Sequence, residues 1–149
     1  MKISIGCDHA GLEMKQAISS HLQKMGYEII DCGAYSADSV DYPDIAREVT
    51  TAVLENKIPG ILICGTGIGI SIAANKVHGI RAALCTNEFM ARMARQHNDA
   101  NVLALGSRIL ARSYAVEIVD VFIKTAFEAG RHENRVDKIK QMEKTHERG

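Results

Sequence analysis

The residues with the clearest chemical potential lie in one stretch, GILICGTGIGISIAANK, at positions 60–76. An apolar run ends there in Cys64, and three glycines follow at alternate positions, Gly65, Gly67 and Gly69. Residues 71–76 then have the pattern of a helix. A strand that passes through glycines into a helix start leaves backbone N–H groups unpaired, and the partial positive charge of a helix N-terminus attracts anions. The sequence therefore predicts an anion-binding loop next to a thiol, with the Ser71 hydroxyl as a further donor. The alternative is a close helix–strand contact that binds no ligand.

The glycine spacing differs from the common nucleotide-binding motifs. It is GxGxG rather than GxGxxG, it follows the third predicted strand rather than the first, and the chain has no GxxxxGK[ST] motif. A dinucleotide site is therefore not expected here. A thiolate at the edge of an anion site could act as a base or a nucleophile, because a helix N-terminus stabilises its charge. The alternative for Cys64 is a small, buried apolar residue.

The remaining cysteines are Cys7, Cys32 and Cys85. The four cysteines form no CxxC pair and no zinc-ligand spacing with histidine. In a reducing compartment we expect free thiols, and for Cys32 and Cys85 we expect side chains that pack like small apolar groups.

Polar residues also follow other predicted elements. Asp8 and His9 come directly after the first apolar run, where an aspartate can orient a hydroxyl and a histidine can donate or accept a proton. The alternative for Asp8 is a cap for the helix that follows. His97 ends a helical pattern, and a helix C-terminus favours the imidazolium form, which is a proton donor. The alternative for His97 is a hydrogen-bonded core histidine.

Three arginines could grip a dianionic phosphate. Arg131 and Arg135 are four residues apart and would share one helix face, and Arg108 follows the fifth predicted strand. The alternative is a solvated basic surface.

Strand-like apolar runs alternate with helical periodicities at 2–7, 27–31, 60–64, 80–85 and 101–105. Runs that are apolar on both faces are typical of a parallel sheet covered by helices, and strand–helix alternation predicts right-handed βαβ units. We therefore predict an α/β fold in a single domain over residues 1–149. It has three αβα layers, a doubly wound, Rossmann-like sheet of five parallel strands, and a C-terminal helix. The charged tail, 131–149, has a thin apolar stripe and would lie either on a partner subunit or in solvent.

The composition excludes several classes of protein. The chain has 149 residues, with 18 basic and 18 acidic side chains and a formal net charge of zero, which disfavours nucleic acid as the main partner. No apolar run reaches the ~18 residues of a membrane helix, and the N-terminus has no signal-peptide pattern. We expect a cytoplasmic protein without a nucleic-acid or membrane partner.

The chain resembles the type B ribose-5-phosphate isomerases from residue 1 to about residue 140. The wider family also contains isomerases of galactose 6-phosphate and allose 6-phosphate. The matching blocks occur in the family's order and spacing: CDHAG at 7–11, DYPD at 41–44, the whole of 60–76, GIRAAL at 79–84, RQHNDANVLALGSR at 95–108 and GRHENRV at 130–136. Some relatives place a catalytic glutamate later in the glycine loop. That position is Ile70 here and cannot titrate, so the resemblance points to Cys64.

This resemblance implies the interconversion of ribose 5-phosphate and ribulose 5-phosphate in the pentose phosphate pathway, without a metal or organic cofactor. It makes Cys64 the proton acceptor and His97, with Asp8 nearby, the acid of ring opening, while Thr66 assists at the moving hydroxyl protons. The implied binding residues are Asp8, His9, Gly65, Thr66, Gly67, Ile68, Gly69, Ser71, Asn98, Arg108, Arg131 and Arg135.

The resemblance also implies a homodimer or a dimer of dimers, with sites shared between subunits. Two alternatives remain open at this point. One is an isomerase of a six-carbon sugar phosphate. The other is a non-catalytic sugar-phosphate-binding module, which would need neither Cys64 nor His97.

Overall fold

The computed structural model describes residues 1–146 and has the predicted alternation of strands and helices. The strands are β1 (Lys2–Cys7), β2 (Glu28–Asp31), β3 (Gly60–Cys64), β4 (Ala82–Leu84) and β5 (Val102–Gly106). The helices are α1 (Leu12–Lys24), α2 (Tyr42–Asn56), α3 (Ile68–Ala74), α4 (Glu88–Gln96), α5 (Arg112–Lys124) and α6 (Arg131–His146), with a short 3₁₀ turn at His9–Gly11. The predicted fold class is confirmed. Helix α3 begins earlier than predicted, because Gly67 alone makes the turn into it.

The five strands are parallel and lie in the order β2-β1-β3-β5-β4. The chain moves outward from β1 to β2 and then crosses to β3 on the other side of β1. The carboxyl ends of β1 and β3 therefore flank the point where the direction of winding changes, which is where open α/β sheets bind ligands. Cys7 and Cys64 end these two strands.

Both faces of the sheet are covered. On one face, residues such as Ile5, Ile63 and Leu105 pack against α1, α4 and α5. On the other face, Leu62 and Cys64 pack with α2 and α3. The near-continuous apolar strands follow from this double coverage, since no strand residue at the centre of the sheet faces water.

A buried lysine holds the β2–α2 connection in place. Lys15 is 3% exposed, and its Nζ donates to Asp31 Oδ1 at 2.8 Å and to the carbonyl oxygen of Ala34 at 2.6 Å. This pairing satisfies a charge that burial would otherwise penalise. It fixes the start of the segment that passes over the end of β1.

The short strand β4 lies at one edge of the sheet, and a side chain covers part of its open side. The N–H of Ala82 donates to Asn75 Oδ1 at 2.8 Å, and Asn75 Nδ2 donates to the Ala82 carbonyl at 3.0 Å. The side-chain amide thus pairs with Ala82 as a neighbouring strand would. Over residues 1–146, no helix combines the length and apolar character needed to cross a bilayer.

Candidate active site

The thiol of Cys64 lies against the backbone of the glycine loop. Cys64 is 5% exposed, and the N–H of Gly67 donates to its Sγ at 3.1 Å. A donor aimed at sulfur stabilises negative charge there, so this cysteine is placed to act as a thiolate base. The side chain of Thr66 is exposed beside it, and its Oγ1 accepts from the N–H of Ile68 at 3.2 Å.

The loop depends on glycine at its turn. Gly67 has φ +80°, and a Cβ there would lie 2.6 Å from Leu84 Cδ1 and 2.9 Å from the carbonyl carbon of Leu105. Any other residue would therefore be strained and would clash with both β4 and β5. The hydroxyl of Ser71 donates to the Ile68 carbonyl at 2.9 Å, so its proton points at the helix backbone rather than into the loop.

The segment after β5 forms backbone hydrogen bonds with the glycine loop. The N–H of Ser107 donates to the Cys64 carbonyl and that of Arg108 donates to the Gly65 carbonyl, both at 2.9 Å. The guanidinium of Arg108 lies over Gly65, where a Cβ would come within 3.2 Å of Nη1. A cation therefore lies at the mouth of the loop.

Asp8 and His9 follow β1 on the same edge of the sheet. The Asp8 carboxylate accepts the N–H of Ala10 at 2.9 Å and so caps the 3₁₀ turn, which is the structural role weighed for it above. His9 Nδ1 accepts the N–H of Val40 at 3.3 Å. Because a backbone N–H can only donate, this bond requires an unprotonated Nδ1 and leaves Nε2–H as a donor for an anion.

The other three cysteines are Cys7, Cys32 and Cys85. All four thiols are free, and burial raises the pKa of Cys7 and Cys32 and raises that of Cys85 to about 11. Cys85 is 1% exposed and packs in the core, whereas Cys32 is half-buried beside the hydroxyl of Ser4. These thiols stay protonated near neutral pH and pack as apolar groups.

His97 lies at the opposite, amino edge of the sheet. Helix α4 runs back from the end of β4, and His97 forms its C-terminal cap. Residues 98–101 lead directly into Val102, which pairs with Gly60 at the start of β3. Cys64 ends β3 and pairs with Gly106. At about 3.3 Å per residue, the two edges are about 13 Å apart. A single chain therefore does not bring His97 beside Cys64 or Asp8.

Two arginines hold the turn that carries His97 and Asn98. Asp99 has φ +46°, and Arg81 donates to its carbonyl at 2.8 Å and to the Asn98 carbonyl at 3.1 Å. Arg95 donates to the Asp99 carboxylate at 3.1 Å and to the carbonyl of Ala100. These bonds satisfy carbonyl groups of the turn itself, whereas backbone N–H groups already pair with the last carbonyls of α4.

The ring of His97 stacks on that of His132, in the first turn of α6. The ring centroids are 4.0 Å apart and the planes differ by 11°. Burial and the charges of His97, Arg131 and Arg135 lower the pKa of His132, against the opposing effect of Glu128. Potential metal-ligand atoms of His97, Glu128 and His132 lie within 4.8 Å of one another. Parallel rings do not direct their lone pairs at one point, so this arrangement suits stacking better than metal ligation.

The predicted site residues thus form two groups. The carboxyl-edge group comprises Asp8, His9, Cys64, Gly65, Thr66, Gly67, Ile68, Gly69, Ser71 and Arg108. The amino-edge group comprises His97, Asn98, Arg131 and Arg135, and the two arginine side chains are exposed.

Comparison with known proteins agrees with the resemblance found in the sequence. The family model described as Ribose/Galactose Isomerase matches residues 3–139. The chain belongs to this isomerase family. Ribose-5-phosphate isomerase B of Escherichia coli is 49% identical over 143 residues, which is 95% of this chain and 96% of that protein.

Solved structures of family members share the fold. Ribose-5-phosphate isomerase B of Clostridium thermocellum matches with a TM-score of 0.96 and 55% identity, covering 98% of this chain and 99% of that chain. The Mycoplasma genitalium enzyme, solved with bound ribulose-5-phosphate, matches with a TM-score of 0.92 and 48% identity, covering 96% of each chain.

Sequence reasoning missed three residues that contact the candidate site. Tyr42 packs its ring over the glycine loop, where a Cβ on Gly69 would lie 2.7 Å from Cζ. His132 stacks on His97, and Arg81 binds the turn next to it. All three lie inside the blocks that carried the family resemblance. Their residue types alone did not distinguish them from surface or core positions.

Proposed function

We propose that this protein is an aldose–ketose isomerase that interconverts ribose 5-phosphate and ribulose 5-phosphate, as in the pentose phosphate pathway. The observation that carries the proposal is the Cys64 thiol, held at 3.1 Å from a backbone N–H inside a glycine loop. A binding module would need the loop and the arginines but would not need a base placed in this way.

The reaction requires a base and a stabilised oxyanion. After the furanose ring opens, the Cys64 thiolate removes the proton from C2, next to the aldehyde. The electron pair forms the C1–C2 double bond and the charge moves to O1, giving an enediolate. N–H groups of the loop stabilise that oxygen, and each such donor contributes about 3 kcal/mol in other enzymes. The hydroxyl proton then moves from O2 to O1, and the Cys64 thiol, whose proton can exchange with solvent, donates a proton to C1, which leaves the carbonyl of the ketose at C2.

Ring opening comes first and needs an acid at the ring oxygen and a base at the anomeric hydroxyl. His97 is the proposed acid, with Asp8 as the nearby carboxylate. Because these residues stand on opposite edges of the sheet, we propose that His97 of one copy acts beside Cys64 and Asp8 of another. A homodimer, alone or in pairs, would then hold two sites, each built from both chains.

Apolar side chains at the carboxyl edge support this assembly. Ile68, Ile72, Phe89 and Ile109 are 53%, 56%, 64% and 58% exposed around the glycine loop. Large apolar groups gathered at one edge are typical of a surface that another protein covers.

The phosphate would bind away from the reacting carbons. The exposed arginines Arg131 and Arg135 lie one helical turn apart, and Arg108 and the Nε2–H of His9 lie at the other half of the site. Anchoring a remote dianion positions the sugar without taking part in the chemistry.

The test compares two cysteine variants. Cys64→Ala should lower ribose 5-phosphate turnover by at least ~100-fold, the usual worth of a positioned base, and leave ribose 5-phosphate affinity largely unchanged by calorimetry. Cys85→Ala, which alters a buried thiol of high pKa, is the matched control and should keep near-normal turnover.

Near-normal turnover in Cys64→Ala would refute the assignment of the base. The same assay, run with and without a chelator, should include allose 6-phosphate and galactose 6-phosphate. A higher kcat/KM on either of them than on ribose 5-phosphate would place the chain with the six-carbon isomerases.

A further inference from the structure

His132 is a buried polar residue that the proposed reaction does not use. It is 6% exposed, although it lies between the exposed Arg131 and Arg135 in the first turn of α6. Its only ion-pair partner among residues 1–146 is Glu128, at 3.9 Å from Nε2. One face of its ring lies against the ring of His97.

The stack is the contact that orients the ring of His97. Within the part of the chain that the structure describes, the His97 side chain makes no hydrogen bond. Its backbone N–H donates to Met93 at 2.9 Å, and the Arg81 contacts hold the backbone of the turn. These bonds fix where His97 is attached but not the rotation of its imidazole. A parallel ring at 4.0 Å fixes the plane in which that imidazole lies.

Burial and neighbouring charges act on the protonation of His132. Burial comes first, followed by the positive charges of His97, Arg131 and Arg135, and together they lower the pKa of His132, while Glu128 acts in the opposite direction. Two imidazolium rings at this separation would repel each other. A neutral His132 avoids this repulsion.

We propose that His132 is a positioning residue that holds the imidazole of His97 in the orientation needed to protonate the ring oxygen of the sugar phosphate. This role rests on the proposed function and refines it. His132 itself transfers no proton. Its contribution is a flat, buried surface against which the catalytic ring of His97 is held.

The experiment separates ring opening from proton transfer between C1 and C2. Ribulose 5-phosphate cannot form a furanose, because its C5 oxygen carries the phosphate. In D₂O, deuterium uptake at C1 of ribulose 5-phosphate therefore reports the Cys64 step alone, whereas turnover of ribose 5-phosphate also needs ring opening. His132→Ala removes the flat surface, and His132→Phe keeps it without an imidazole.

We expect His132→Ala to lower kcat on ribose 5-phosphate by ~10-fold or more, the usual effect of a misplaced catalytic group, with KM and C1 exchange nearly unchanged. His132→Phe should keep most of the wild-type kcat. Equal losses in both variants would overturn the proposal, because they would show that the imidazole itself is required. Full activity in both variants would also overturn it, as would a parallel loss of C1 exchange, which indicates general structural damage.

A measurement without substrate keeps this inference separate from the proposed function. In the proton–carbon NMR spectrum, the Cε1–H resonance of His97 should carry an upfield ring-current shift from the stacked ring. The shift should persist in His132→Phe and disappear in His132→Ala. If wild-type protein fails to isomerise ribose 5-phosphate while the shift behaves in this way, the function is wrong but the positioning of His97 stands. An unchanged shift in His132→Ala refutes the positioning role.

Discussion

Complementation between two inactive variants tests the separation of Cys64 and His97. Cys64→Ala disables the carboxyl edge of a chain, and His97→Asn disables its amino edge. If each site joins the carboxyl edge of one chain to the amino edge of another, both homodimers should be inactive. A mixed dimer should hold one intact site, with Cys64 and His97 supplied by different chains, and one site that lacks both residues.

The expected activity follows from this geometry. When the two variants are unfolded together in equal amounts and refolded, random pairing makes about half of the dimers mixed, and half of the sites in those dimers are intact. The mixture should therefore regain about a quarter of the wild-type specific activity on ribose 5-phosphate. The assay is the rate of ribulose 5-phosphate formation, with size-exclusion chromatography to confirm that all mixtures have the same assembly state.

The control mixes wild-type chains with the double variant Cys64→Ala/His97→Asn. If the sites are shared between chains, only the wild-type homodimers are active, and the mixture has about a quarter of the activity of wild type at the same total protein concentration. If each chain holds a whole site, the mixture has about half of that activity. Failure of the single variants to regain activity, together with half-activity in the control, would show that each chain carries a whole site. The separation of about 13 Å derived from strand length would then not describe the working enzyme.

Three further predictions concern the loop, a buried ion pair and pH. Gly67→Ala should lower the free energy of unfolding by about 3 kcal/mol and abolish activity, because backbone strain and a steric clash add. The control is Gly26→Ala, since Gly26 also has a positive φ but has open space around it, and it should lower that free energy by only about 1 kcal/mol. Chemical denaturation measures both values. Lys15→Met should lower the free energy of unfolding by about 2 kcal/mol and raise KM, because the carbonyl of Ala34 loses its donor. The control Lys2→Met removes an exposed ion pair and should change the free energy of unfolding by no more than about 0.5 kcal/mol. Burial and neighbouring charges lower the pKa of His132, so the unfolded chain binds more protons as pH falls below about 6.5, and stability is lost there. His132→Phe should therefore lose less Tm than wild type between about pH 7.5 and about pH 5.5, and an equal loss would contradict this reasoning.

The fold could be predicted because the strands carry an unambiguous signal. The runs at 2–7 and 60–64 match β1 and β3 residue for residue, since both are buried on both faces and end at a polar or glycine residue. The predicted run at 80–85 is longer than β4, because Ile80 and Cys85 are buried although only residues 82–84 pair in register with β5. Apolar residues mark burial, and only the strand pairing decides where a strand ends.

The site could be predicted residue by residue but not as an arrangement. The glycine loop, Asp8 and His9 follow strand ends, and the rule for parallel sheets places them together. His97 caps the C-terminus of α4, so the edge of the sheet at which it lies depends on the direction in which α4 runs back across the sheet. The order β3-β5-β4 and the stack of His97 on His132 depend on contacts between segments far apart in sequence, which periodicity does not encode.

The pairing of Asn75 with Ala82 affects how chains can associate. An open edge strand invites another chain to extend the sheet, which leads to aggregation. Here the outward N–H and C=O of Ala82 are already occupied, and β4 is only three residues long. Continuation of the sheet from one molecule to the next is therefore blocked at this edge. A contact between copies at this edge would therefore involve side chains, and an interface of that kind can close into a pair instead of extending as a growing sheet.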